Sequence, residues 1–136
     1  MTDLINSLWI RLNEILKDFS KALVINDSSV TKNIGHTSNN IFILRGYLEI
    51  RHHKDGDEFS IGIDIKRQDK NWFIESDICF DNGEIIAIGP SAVILLSDQS
   101  RAQSDIDTWA YEFEKFLIDK KNKIESLIND VPPGIE

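Results

Sequence analysis

The chain has 136 residues, with 23 acidic against 15 basic side chains and a formal net charge of −8. Charged residues make up 28%, and seven Gly and three Pro exclude collagen-like and low-complexity chains. A chain of this length predicts one domain, residues 1–136. The acidic balance argues against nucleic-acid binding, which needs clustered Lys and Arg. The same balance fits electrostatic steering towards a basic partner.

Cys79 is the single cysteine of the chain. One cysteine forms neither an internal disulfide nor a Cys-based zinc site, which favours a reducing compartment. Charged residues interrupt the apolar N-terminal segment, so no secretory signal is predicted, and the longest apolar run, 92–96, is too short to span a membrane. Isoleucine is about twice as frequent as leucine, a bias that we interpret as bacterial. We therefore expect a cytoplasmic bacterial protein.

An amphipathic helix is predicted over residues 2–25. Its apolar residues recur at steps of three and four: Ile5, Leu8, Leu12, Ile15, Phe19 and Ala22. Thr2 or Asp3 can cap its start. Residues 26–40 are dominated by Asn, Asp, Ser, Thr and Lys, and they predict a flexible surface loop.

Three segments between residues 42 and 80 alternate strictly, the pattern of strands that bury one face. Their inward sets are Phe42, Leu44, Gly46, Leu48 and Ile50; Phe59, Ile61, Ile63 and Ile65; and Trp72, Ile74, Ser76, Ile78 and Phe80. The Asp-Gly pair at 55–56 and the Asn-Gly pair at 82–83 are hairpin turn signals, and a third turn lies at 69–70. Counting outward from the turns pairs apolar with apolar residues, for example Leu48 with Ile63.

A fourth strand starts at Ile85 and is interrupted by Gly89 and Pro90, because proline removes a donor of the ladder. Residues 92–96 form either a fifth strand or the bulged continuation of the fourth. Ser104 is then predicted to cap a second amphipathic helix over 105–129.

One apolar sheet face and two helices with one apolar side each are most simply buried by packing both helices on that face. We predict an α+β two-layer sandwich: an N-terminal helix, an antiparallel four- to five-stranded meander and a C-terminal helix, followed by a tail over about 133–136. The opposite sheet face is left to solvent or to a partner.

Common signatures of nucleotide, zinc and hydrolase sites are missing, including G-x-x-x-x-G-K-[ST], H-E-x-x-H and G-x-S-x-G. Of the three histidines, His52 and His53 are adjacent at a strand end and point to opposite faces, and His36 lies in the predicted loop. We therefore expect no enzyme, no cofactor, no metal, and neither nucleic acid nor membrane as a partner.

The open sheet face carries an acidic centre in the predicted register. Asp64 faces both Tyr47 and Glu75, and Asp77 faces Gly62. Aromatic and aliphatic side chains border these carboxylates. The candidate partner-binding residues are Tyr47, Asp64, Phe73, Glu75, Asp77, Ile86 and Ile88.

Three interpretations of this face are open: an ordinary solvated face, a protein-binding face, and a carboxylate site in which neighbouring charges raise a pKa. We favour a small acidic protein-binding module, either an immunity protein that neutralises a basic toxin or a chaperone-like adaptor. One alternative is a small-ligand-binding protein or enzyme with a helix–sheet pocket. Another is a structural homodimer through the open face or through Tyr111, Ile118 and Ile10.

Overall fold

The computed structural model describes residues 2–26, 29–52 and 58–129. In this part of the chain the elements are α1 (Thr2–Ala22), β1 (Val30–Thr37), β2 (Phe42–His52), β3 (Glu58–Gln68), β4 (Asn71–Phe80), β5 (Ile85–Ile88), β6 (Ala92–Leu95) and α2 (Gln99–Asn129). The predicted turn at 55–56 and the predicted tail at 133–136 lie outside the described residues.

The six strands form one antiparallel sheet in the order β1-β2-β3-β4, and both β5 and β6 pair with the far side of β4. Asp77 of β4 is paired with Ile88 of β5, and Phe73, further along β4, is paired with Val93 of β6. The two short strands therefore follow each other along one side of β4. They are one edge strand interrupted at Gly89–Pro90, which matches the bulged continuation that the sequence left open.

Both helices pack on the same face of the sheet, and the predicted α+β two-layer architecture is confirmed. Trp9 of α1 lies against Gly46 of β2, where an added Cβ would come within 2.8 Å of the indole ring. Only glycine therefore lets α1 approach β2 this closely. Over the other half of the sheet, the indole Nε1 of Trp109 in α2 donates a 3.0 Å hydrogen bond to the Pro90 carbonyl.

The two helices run parallel and are joined at two places. Arg11 pairs with Asp107 at 2.9 Å. Two residues beyond the C-terminal end of α1, the carboxylate of Glu125 accepts a 2.6 Å hydrogen bond from the Val24 amide, and Asn129 donates one of 2.8 Å to the Val24 carbonyl. Neither α1 nor α2, as far as the structure describes them, is long and apolar enough to cross a membrane.

The prediction of a loop over 26–40 is wrong, because residues 30–37 form the edge strand β1. Polar side chains occupy two of its inward positions. Lys32 reaches over the sheet edge to donate a 2.7 Å hydrogen bond to the Ser20 carbonyl, and the His36 ring packs against Trp9 at an interplanar angle of 44°, with ring centroids 4.4 Å apart. These long or flat polar side chains can cover an edge as apolar ones do, which hides the strand from a hydrophobic pattern.

The second helix begins at Gln99, six residues before the predicted start at 105. Asp98 is its N-cap: its side chain accepts a 3.1 Å hydrogen bond from the Arg101 amide, and its carbonyl accepts the Ala102 amide at 2.8 Å. The predicted cap, Ser104, lies inside the helix. Ser and Asp are both good caps, so residue type alone did not distinguish the two positions.

The register between β2 and β3 differs from the prediction by two residues: Leu48 pairs with Ile61. A shift of two residues leaves every side chain on its own face, so the apolar alternation cannot detect it. Charge explains the choice. The observed register places Arg45 opposite Asp64, whereas the predicted register would have placed it opposite Lys66, and like charges directly opposite are destabilising.

Candidate functional site

The outer face of the sheet, which points away from both helices, contains the predicted site. Across the three central strands its outward positions are Arg45, Tyr47, Glu49 and Arg51 in β2, Ser60, Gly62, Asp64 and Lys66 in β3, and Phe73, Glu75, Asp77 and Cys79 in β4. Neither helix covers this face, so its side chains are available to another molecule.

One row of residues crosses five strands of the outer face: Gly35, Tyr47, Gly62, Asp77 and Ile88 are successive register partners. The Tyr47 ring leans over Gly35, where an added Cβ would lie 2.5 Å from the phenol oxygen. At Gly62 an added Cβ would meet only the Asp77 carboxylate, at 3.5 Å. The missing side chain of Gly62 therefore leaves a notch between Tyr47 and Asp77, which we call the Gly62 notch.

The carboxylates of Asp64, Glu75 and Asp77 form an acidic patch beside this row. Asp64 is the register partner of Glu75, as predicted, but the predicted pairing of Asp64 with Tyr47 is wrong. Arg45 takes that place, with its Nε 3.3 Å from the Asp64 Oδ1. That oxygen is buried and accepts no hydrogen bond of good geometry, so the ion pair neutralises the charge without fully satisfying the atom.

Burial raises the pKa of both aspartates from its ordinary value. For Asp64 the nearby charges of Arg45 and Lys66 oppose the effect of burial. For Asp77 the negative charge of Asp64 adds to the effect of burial, while Arg45 opposes it. The ionised form of each aspartate is therefore destabilised relative to a carboxylate in water. Asp77 forms no ion pair with any described residue. A cation placed next to Asp77 would stabilise its ionised form.

Apolar side chains border the patch on the side of the interrupted edge strand. Ile88 is 76% exposed, and Val93, which is opposite Phe73, is 51% exposed. Val93 was not among the predicted site residues, although its place one step from Ala92 in an alternating strand was a usable signal. The patch and this apolar border form one continuous surface.

Ile86, predicted on the open face, is instead partly buried against the hydrophobic core. A register irregularity between Ile78 and Cys79 of β4 brings Ile85 opposite Cys79. This bulge shifts the register by one residue, so that Ile85 lies on the outer face and Ile86 on the inner face. Tight alternation through the Asn-Gly turn could not anticipate it.

A metal site needs several ligands close together, and a carboxylate active site needs shelter from water. No three His, Cys, Asp or Glu side chains within 2–26, 29–52 and 58–129 are grouped as a metal site would require. An open sheet face does not exclude water from the reacting groups, as a carboxylate site needs. A cavity of about 550 Å³ lies between α1 and α2 and not between a helix and the sheet, where a ligand pocket was the alternative prediction.

No protein-family model matches the chain, and no similar sequence or fold is found among curated proteins or solved structures.

Proposed function

We propose that this protein is a protein-binding module whose outer face binds a basic partner protein. The observation that carries the proposal is the Gly62 notch, which is open to solvent between the Tyr47 ring and the unpaired Asp77 carboxylate. Exposed Ile88 and the neighbouring Phe73 supply apolar surface next to it. Aromatic and aliphatic groups that surround a charged contact are characteristic of protein interfaces.

The notch has the chemistry of a receptor for one Arg or Lys side chain. Asp77 would accept a charge-assisted hydrogen bond from the cation, and the face of Tyr47 would add a cation–π contact. Gly62 provides the space for the aliphatic stem. The cation would also stabilise the ionised form of Asp77, so its pKa would fall when the partner binds.

The net charge of −8 supports the same choice of partner, because it steers a basic protein towards this surface and makes association sensitive to salt. Within this class the proposal takes two forms, an immunity protein that neutralises a basic toxin or a chaperone-like adaptor, in each case in the bacterial cytoplasm. A toxin reading frame next to the gene would favour the first form over the second.

The test is a titration with a nine-residue peptide of alternating arginine and leucine, followed by backbone amide chemical shifts. We expect the largest shifts around Gly62 and Asp77. Reversing two charges of the patch with Glu75→Lys and Asp77→Lys should weaken binding by about tenfold or more, the scale of an interface hot spot. Raising the salt concentration should weaken the unmodified protein's binding and leave the variant's nearly unchanged.

A matched control changes the net charge equally at a distant surface. Glu112 and Asp119 are exposed on α2, and replacing both with lysine should alter affinity less than about twofold. Equal losses in the two double variants would mean that only net charge matters, and the outer face would be the wrong site. Shifts centred on the helices would likewise overturn the proposal.

A further inference from the structure

A groove of about 550 Å³ lies between α1 and α2 on the helical side of the molecule, remote from the outer face. Its floor is apolar and consists of Ile15, Phe19 and Leu117, each almost completely buried. Ile10 and Ile118 form its walls and are 60% and 69% exposed. Large aliphatic side chains at this level of exposure, beside an apolar floor, are typical of interaction sites.

The groove follows the line along which α1 and α2 lie side by side. The Arg11–Asp107 ion pair crosses this line within the groove, and the hydrogen bond from Val24 to Glu125 crosses it just beyond the C-terminal end of α1. Along α1 the lining residues extend from Ser7 to Ala22, which is about 22 Å at the helical rise per residue. This is the length of roughly four helical turns on α1, and the lining residues of α2, from Glu114 to Lys121, extend over about two turns.

The rim of the groove is acidic, because its cations are neutralised by ion pairs while several of its carboxylates are not. Its two cations are already paired within the chain, Arg11 with Asp107 and Lys121 with Glu125. Among the described residues, none forms an ion pair with the rim carboxylates, which are Glu14, Asp18 and Glu114. An occupant must therefore be apolar on one side and positively charged along its flanks.

These charges distinguish between occupants of the groove. A fatty-acid-like anion would be repelled by the rim. A second copy of the chain would bring its own three unpaired carboxylates to the same place, and such like-charge contacts are costly. An amphipathic helix with Lys or Arg beside its apolar stripe satisfies both the floor and the rim, and a groove of four turns accepts apolar anchors at helical spacing.

We propose that the groove between α1 and α2 binds a basic amphipathic helix of a partner protein. The walls formed by Ile10 and Ile118 hold the apolar stripe, and Glu14 and Asp18 hold the flanking cations. This site is independent of the outer face. A protein with both surfaces can engage two segments of one partner at once, or join two partners.

The probe is an 18-residue peptide of leucine and lysine with leucine at helical spacing. A peptide of the same composition with strict alternation, and a leucine–glutamate peptide with the helical spacing, are the controls. We expect the first to bind with amide shifts on α1 and α2, and to bind at least about tenfold more tightly than either control. The double variant Ile10→Ser with Ile118→Ser should weaken it by about tenfold.

Tyr111, 58% exposed on α2 and outside the groove, supplies the matched control: Tyr111→Ser should leave the affinity within about twofold. Neutralising Glu14→Gln with Asp18→Asn should weaken binding and flatten its salt dependence. Tight binding of the leucine–glutamate peptide, an unchanged affinity in the isoleucine double variant, or a dimer of the free protein that this variant dissociates would each overturn the proposal. The outer-face variants do not touch the groove, so failure of one site is distinguishable from failure of the other.

Discussion

Asp77 and Glu125 are carboxylates with opposite pKa shifts, and their surroundings explain the difference. Burial and the charge of Asp64 raise the pKa of Asp77. The hydrogen bond from the Val24 amide, assisted by Lys121, lowers the pKa of Glu125. A raised carboxylate pKa means that the folded state binds the proton more tightly than the unfolded state, so ionisation of Asp77 at neutral pH reduces stability.

The substitution Asp77→Asn should therefore raise the midpoint of thermal unfolding at pH 7. Below about pH 4, the ordinary range for aspartate, Asp77 is protonated in both states and the advantage of asparagine should disappear. Thermal unfolding followed by circular dichroism between pH 3 and pH 7 measures both, with Glu112→Gln on exposed α2 as the control. A variant that is less stable than the unmodified protein at pH 7 would contradict this, because it would show that the ionised Asp77 carboxylate stabilises the folded state.

Two glycines show what the sequence could and could not reveal about single residues. Gly46 lies on the inward face as the alternation predicts, but the close approach of the Trp9 ring, which leaves no room for a Cβ at this position, depends on how α1 is rotated over the sheet. The sequence predicts a loop at Gly35, so it does not indicate that the Tyr47 ring lies over this residue. Periodicity predicts the face on which a residue lies, whereas close approach between elements is set by tertiary packing.

At the scale of elements, the start of α2 gives a clear comparison between two capping candidates. Asp98→Ala should cost about 1 kcal/mol of unfolding free energy, because the Arg101 amide loses its acceptor. Ser104→Ala, the matched control at the position that the sequence favoured, should be neutral or slightly stabilising, since alanine has the higher helix propensity. Urea unfolding of both variants measures the difference. The reverse order of stability would place the helix start near residue 104.

Strand pairing was predicted where local rules suffice and missed where they do not. The register of β3 and β4 follows from a short turn, and the predicted partners Ile65 and Ile74 are the observed ones. Between β2 and β3 the alternation allowed two registers, and the charges opposite Arg45 and Arg51 favour the observed one, which pairs them with Asp64 and Glu58. This shift explains why the acidic patch was predicted correctly in its β3–β4 half and incorrectly beside Tyr47.

At the scale of the whole molecule, the contacts between α1 and α2 join the first element to the last. The side chains of Glu125 and Asn129 both bind the backbone of Val24, a set of contacts that we call the Val24 clasp. Glu125 is its ionisable member. Because its pKa is lowered by folding, its contribution to stability is present above the ordinary pKa of glutamate, about 4.3, and is lost as the pH falls through the lowered value.

We therefore expect Glu125→Gln to lower the unfolding midpoint at pH 7 and to have little effect at about pH 3. This is the opposite sign to Asp77→Asn at neutral pH. Hydrogen exchange provides a local measurement: the Val24 amide should exchange faster in the variant, while amides of the central strand β3 should not change. Equal acceleration at both places would indicate global destabilisation and no specific clasp.

The Arg11–Asp107 ion pair and the Val24 clasp join segments that are about a hundred residues apart in the sequence, so the two segments are synthesised at different times. Because synthesis proceeds from the N-terminus, the α2 residues that contact the first of these segments, from Asp107 to Asn129, leave the ribosome well after α1. At ordinary rates of translation, roughly 5–20 s separate the emergence of α1 from that of its partner. During that interval the part of the inner sheet face that α2 covers is exposed, so the nascent chain is most vulnerable to aggregation until α2 has emerged.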